Sequence, residues 1–222
     1  MGEWAEHGFF SDTDKRTVRQ AMRKELALDP AAFVVATVGM LRPDKRQEDL
    51  LRVVNVLRQR GIPAHALVVG MPTGATAAYG QQLRDLVVEL GMGDYVTFAG
   101  HREDVANVLH TADAILVPSV NEAWSRVVPE AYASRCPVVA SAVGGLPEIV
   151  HPGETGWLAP AGDVVGFADH LAWIWANPGQ AAQIAEQARR YADRHFMLPQ
   201  KMAETLGAYQ VAMEHARLAR NV

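Results

Sequence analysis

FVVATVGMLRPDKRQEDLLRVVNVLRQRGIPAHALVVG, residues 33–70, is the stretch that decides the fold. It opens on a run of apolar, largely β-branched residues, turns through a charged loop into helical spacing over 46–60, and closes on a second apolar run. Strands that are apolar without alternation are buried on both faces, as in parallel sheets flanked by helices. Outward from this unit the same pattern recurs. Strands are predicted at 33–39, 64–70, 95–100, 114–119 and 137–141, with helical patterns near 46–60, 77–91, 103–111 and 127–135. Each helical stretch is long enough for a crossover, so the sequence predicts an α/β fold, a Rossmann-like parallel sheet with helices on both faces.

The ends differ in kind. A charged surface helix is expected over 14–27, and residues 163–219 hold three further helical patterns broken at Asn177-Pro178 and Leu198-Pro199. The predicted division is a leading segment with its surface helix over 1–30, the α/β domain over 31–198, and a C-terminal helix over 199–222. No strands for a second sheet are visible.

The 222 residues are 49% hydrophobic and 21% charged, the balance of a chain that builds a core. A net charge of -4 supplies no overall positive field, which argues against nucleic acid as a partner. The single cysteine, Cys136, excludes an intramolecular disulfide and a multi-thiolate zinc site and reads as a small buried apolar residue. The apolar stretch from Ala31 to Leu41 is too short to span a bilayer, so the chain reads as cytoplasmic, with no transmembrane segment. The eight histidines show neither H-x-H nor H-E-x-x-H spacing and no aspartates cluster, so no metal is expected.

In an open parallel sheet, ligands bind beyond the carboxyl ends of the strands. Four strand-end loops stand out. Gly39-Met40-Leu41-Arg42-Pro43-Asp44-Lys45-Arg46 places cationic groups after the first strand, an arrangement suited to an anion. Gly70-Met71-Pro72-Thr73-Gly74 follows the second strand without dinucleotide-fingerprint or Walker spacing. Gly100-His101-Arg102-Glu103-Asp104 follows the third and reads either as the edge of a base or ribose site or as a helix cap. The fourth, PSVNEAWSRVVPEAYA from Pro118, places Glu122 in the loop and Glu130 in the next helix. Pro129 suits a first helical turn, so that helix is expected to begin near 126–128, with early amides available to phosphate and Glu130 placed to accept from a vicinal diol. Trp124 reads either as a shield for a sugar or as a loop anchor.

Taken together, GMLRPDK, VTFAGHREDV, VPSVNEAWSRVVPEAYA, PVVASAVGGLPEIV and HPGETGWLAPAGD, in this order from about Asp29 to Phe196, resemble the retaining GT-B glycosyltransferases of family 4, specifically their C-terminal donor-binding domain. The resemblance implies a nucleoside diphosphate sugar as donor substrate, in UDP, GDP or ADP form, and no other cofactor. It implies Lys45 on the diphosphate, Glu122 beside the sugar, Glu130 on the ribose, and the backbone of Ser125, Arg126 and Val127 around phosphate, with Gly39 and His101 lining the pocket. Gly144, Gly145 and Glu148 match the family's G-G-x-P-E segment and read mainly as a turn and helix start.

Two positions depart from the family pattern. Met40 stands where the family carries an arginine, and Arg42 is the expected substitute; Ser125 stands where glycine is usual. The resemblance also implies that residues 1–30 join this domain to an N-terminal acceptor domain that the chain lacks. The expectation is a donor-binding domain inactive alone, with Met202, Leu206, Tyr209 and Met213 either tied down by self-association or packed on this domain. A sugar-nucleotide epimerase half and a non-catalytic nucleotide-sugar-binding module are the alternative readings.

Overall fold

The computed structural model describes residues 15–196, together with Tyr209 and Met213. In chain order the elements are α1 (Lys15–Glu25), β1 (Phe33–Val38), α2 (Gln47–Gln59), β2 (Ala64–Val69), α3 (Ala77–Glu89), β3 (Val96–Gly100), α4 (Val105–Thr111) and β4 (Ala114–Val117). They continue as α5 (Val127–Ala133), β5 (Val138–Ser141), α6 (Leu146–Ile149), β6 (Trp157–Ala159), α7 (Val164–Ala176) and α8 (Pro178–His195). All six strands pair in parallel in the order β3-β2-β1-β4-β5-β6, which is the doubly wound Rossmann arrangement.

Alternation along β1 makes the two layers. Phe33 and Val35 face a core shared with Leu50, Leu51 and Val54 of α2, Leu83 of α3 and Phe167 and Leu171 of α7. Val34 and Ala36 face the other, with Leu109 of α4, Val128 and Tyr132 of α5 and Ala188 and Ala192 of α8. The strand is apolar over Phe33–Ala36 because it has no solvent side there. Cys136 lies in the second core as a buried free thiol. Among the described residues, no helix is long and apolar enough to cross a membrane.

Three expectations need correction. The stretch at 95–100 was expected to be buried on both faces, but β3 is the sheet's edge and every one of its residues is half-buried. A sixth strand, β6, is only three residues long inside a turn-rich segment, too short to leave a periodic signal. The helix expected as a charged surface element, α1, has a mostly exposed or half-buried surface as expected, but it is also pinned by a buried guanidinium. Arg23 is 4% exposed and donates to the carbonyls of Asp29, Pro30 and Ala32 at 3.1, 2.9 and 3.0 Å. It also pairs with Asp113 at 2.9 Å, whose carboxylate in turn accepts from the Val34 amide at 2.7 Å. Removing this hub leaves buried acceptors unpaired, so Arg23→Met is expected to lower the urea-unfolding free energy by about 3 kcal/mol at pH 7.

Of the residues expected either to self-associate or to pack on this domain, Tyr209 and Met213 are exposed, and Met202 and Leu206 lie outside the described residues.

Candidate active site

The strand order reverses between β1 and β4, and the crevice at their carboxyl ends opens into a cavity of about 460 Å³. Thr37, Val38 and Gly39 end β1 on one side, and Val117, Pro118 and Ser119 end β4 on the other. The carbonyl oxygen of Gly39 lies against Gly70, after β2, where a Cβ would come within 1.8 Å. The ends of β1 and β2 can therefore approach this closely only with glycine at position 70.

Lys45 closes a short 3-10 turn, Pro43–Lys45, whose Asp44 carbonyl accepts from the Val120 amide at 2.9 Å. That bond joins the first strand-end loop to the fourth. Across it, Lys45 Nζ meets Glu122 Oε2 at 2.6 Å, and Ser119 Oγ donates to the same oxygen at 3.2 Å. Glu122 is 8% exposed, so the ammonium sits where it neutralises a buried carboxylate and keeps further N–H donors for an anion.

The Glu122 loop is held from below by Gly144 and Gly145. The Gly145 amide donates to the Glu122 carbonyl at 2.9 Å, and a Cβ on Gly144 or Gly145 would meet the carbonyl oxygen of Glu122 or Ala123 at 2.1 or 2.4 Å. Beyond their part in the turn, these glycines set the position of a loop that carries chemistry.

Glu130, in the first turn of α5, lines the cavity, and its carboxylate makes no hydrogen bond to a described residue. Burial pushes its carboxyl up to about 7, against a smaller opposing pull from Arg126. A carboxyl held above its unfolded value binds protons in the folded state first, so folding stability falls as pH rises from about 4.5 through 7. Glu130→Gln is therefore expected to stabilise the chain at pH 8 by on the order of 3 kcal/mol and to leave stability at pH 4 unchanged, as read by thermal unfolding.

Of the other expected residues, Gly39, His101, Ser125, Arg126 and Val127 line the same cavity. Helix α5 begins at Val127, as Pro129 predicts, but it spans only seven residues, so any phosphate there would meet individual amides rather than a substantial macrodipole. Ser125 is 3% exposed, and Trp124 lines the cavity while its indole packs edge-on against Phe196 at 5.6 Å. Arg42 does not enter. Its guanidinium forks onto Asp44 at 2.9 and 2.7 Å, and neither it nor the exposed Met40 lines the cavity. The cationic side chains that do line the cavity, among the described residues, are Lys45 and Arg126.

The sequence reading missed Gln47, which opens α2. It is 1% exposed, lines the cavity, donates from Nε2 to the Met40 carbonyl at 3.0 Å, and keeps a buried Oε1 without a partner. Only its place as the first helical residue after a strand-end loop could have drawn notice.

Residues 18–191 match the family described as Glycosyl transferases group 1. A D-inositol 3-phosphate glycosyltransferase of Saccharomonospora viridis is 37% identical over 182 residues, which cover 79% of this chain and 42% of that protein. The chain spans less than half the length of the curated relatives it matches. Among solved structures, Anabaena Alr3699/HepE, crystallised with UDP and glucose, aligns with a TM-score of 0.83 at 26% identity, covering 90% of this chain and 54% of that one. The C-terminal domain of a glycosyl transferase group 1 protein, LpcC, from Francisella tularensis aligns at 0.73 and 19% identity, over 86% of this chain and 97% of that domain, which shows the shared fold. With the six-stranded parallel sheet and the match over most of its length, the chain belongs to the glycosyl transferases group 1 family.

Proposed function

We propose that the chain is the donor-binding domain of a retaining glycosyltransferase of family 4, and that the cavity between β1 and β4 takes a nucleoside diphosphate sugar. The observation that carries this reading is the convergence, in one cavity at the strand reversal, of the Lys45–Glu122 pair, the start of α5 and the unpartnered Glu130 carboxylate. In this reading Glu130 accepts from the ribose diol, the amides from Ser125 to Val127 and the Lys45 ammonium hold the diphosphate, and Glu122 lies beside the sugar. Gly39 and His101 border the nucleoside.

As the bond from sugar to diphosphate breaks, negative charge grows on the leaving oxygens. Lys45 is already fixed there by Glu122, so it stabilises that charge without reorganising. The acceptor site belongs to a further domain of a longer protein, and the chain alone binds donor without transferring it. Uridine is the first base to test, because HepE was crystallised with UDP.

Saturation-transfer NMR with UDP-, GDP- and ADP-glucose tests the reading. Binding of one of them with its anomeric and ring signals unchanged over hours is expected. Conversion of the sugar to an epimer would identify an epimerase instead, and binding of none would contradict the reading.

A further inference from the structure

A second cavity, of about 480 Å³, lies at the opposite end of the sheet. Its wall includes Phe33, the first residue of β1, with Asp113 and Pro137 just ahead of β4 and β5, so it opens at the amino ends of the strands. Strand reversal and the donor-site reading play no part in it.

Its polar lining is unusual for a chain of net charge -4. Lys15, Arg16, Arg19 and Arg135 face it, and among the described lining residues Asp113 is the one carboxylate. Arg19 and Arg135 are anchored, to Asp113 at 2.6 Å and to Glu186 at 2.5 Å, and Lys15 donates to the Ser134 carbonyl at 2.6 Å while an ammonium carries three donors.

Two buried side chains on the same wall have no hydrogen-bond partner among the described residues. Neither ring nitrogen of His110, 7% exposed, makes a hydrogen bond, and neither does the hydroxyl of Ser134, 2% exposed. Buried polar atoms are nearly always paired, and leaving three unpaired in one place is costly unless something else completes them. Burial first, then Lys15 and Arg135, hold the His110 imidazole down to about 4, so near neutral pH it is uncharged, with one nitrogen able to donate and the other to accept. The rest of the wall is apolar, from Phe33, Leu109, Ile174 and Trp175, and the amino end of the long helix α8 reaches it at Pro178.

We infer that this cavity is a binding site for a small organic phosphate: the cationic rim and the orphaned His110 and Ser134 take the phosphate oxygens, and the apolar wall takes the organic body. A cavity of this size suits a metabolite of modest dimensions, and an acceptor oxygen delivered there takes the imidazole N–H of His110 and the hydroxyl of Ser134, two donors the fold leaves open. Its position, across the sheet from the nucleotide cavity, makes it a second site rather than part of the first.

The test is an NMR titration of the histidine rings at pH 7 with inorganic phosphate and with phenyl phosphate. The His110 resonances, identified by their loss in His110→Leu, are expected to shift saturably. Ser134→Ala and Lys15→Ala are each expected to weaken the response roughly tenfold, the ordinary effect of losing one charge-assisted hydrogen bond. Phenyl phosphate is expected to half-saturate at a concentration at least about fivefold lower, because its ring covers apolar wall. Thermal unfolding supplies a readout independent of NMR. His110→Leu removes an unpartnered imidazole, so in phosphate-free buffer it should melt at or above the wild type, yet gain nothing from added phosphate. No saturable shift at His110, or a response unchanged in Ser134→Ala and Lys15→Ala, would overturn the site. Equal affinity for the two probes would overturn the role given to the apolar wall.

Discussion

Lys45→Ala is expected to weaken binding of a nucleoside diphosphate by about 30-fold, the loss of one charge-assisted contact worth about 2 kcal/mol, and also to destabilise the free chain. The second effect comes from its partner. Glu122 is 8% exposed and meets Lys45 at 2.6 Å, so the alanine leaves a buried carboxylate with Ser119 as its remaining hydrogen-bond partner. Because the Lys45 side chain is 27% exposed, solvent softens the penalty, and about 2 kcal/mol of unfolding free energy is the expected loss. Adding Glu122→Gln to Lys45→Ala removes the stranded charge. The double variant should regain most of the stability in urea unfolding and none of the nucleotide affinity in calorimetry. A purely structural ion pair would show both losses recovering together.

Gly144→Ala is expected to have the larger effect on the shape of the site. Its φ is +52°, and an added Cβ would lie 2.1 Å from the Glu122 carbonyl oxygen, a contact that backbone cannot relieve without moving the loop. Left-handed strain costs about 1–2 kcal/mol, and displacement of the loop adds to it, so a total loss of about 3 kcal/mol in thermal unfolding is expected. The loop carries Glu122, so the pairing with Lys45 should loosen and nucleotide affinity should fall with stability. Gly153→Ala separates the two causes. Its φ is +77° with nothing within 4 Å of the added carbon, so it should show the strain alone, about 1 kcal/mol, and unchanged affinity.

The sheet was legible because five of its strands are runs of apolar residues separated by helical spacing, and that pattern survives without knowledge of packing. What escaped depends on contacts distant in sequence. The burial of Arg23 follows from carbonyls at 29, 30 and 32 and a carboxylate at 113, which no periodicity of α1 can reveal. The edge position of β3 follows from the strand order, which is a property of the crossovers.

In the site, Lys45, Glu122 and Glu130 were legible as residue types at strand ends in a parallel sheet, and the fold brings them to one cavity. Arg42 was misplaced although the reason was close by: Asp44, two residues on, captures its guanidinium in a bidentate pair. Gln47 escaped, and the glycine pair was read mainly as a turn and helix start. A glutamine opening a helix looks ordinary until its buried oxygen is seen without a partner, and Gly144 shows its second role only through the Glu122 loop above it. His110, one of eight histidines without motif spacing, resembles any core histidine until both ring nitrogens are found unpaired.

The most direct test of the central claim is a calorimetric titration of the chain with UDP-glucose at pH 8 and at pH 6, beside Glu130→Ala. This ligand carries no phosphate that titrates in that range, and the alanine variant isolates the contribution of the carboxyl raised to about 7. Saturable one-to-one binding is expected at pH 8, about tenfold weaker at pH 6 where Glu130 is mostly protonated, and in the alanine variant at least about tenfold weaker and independent of pH. Absence of binding at both pH values, or an affinity that Glu130→Ala leaves unchanged, would contradict the account.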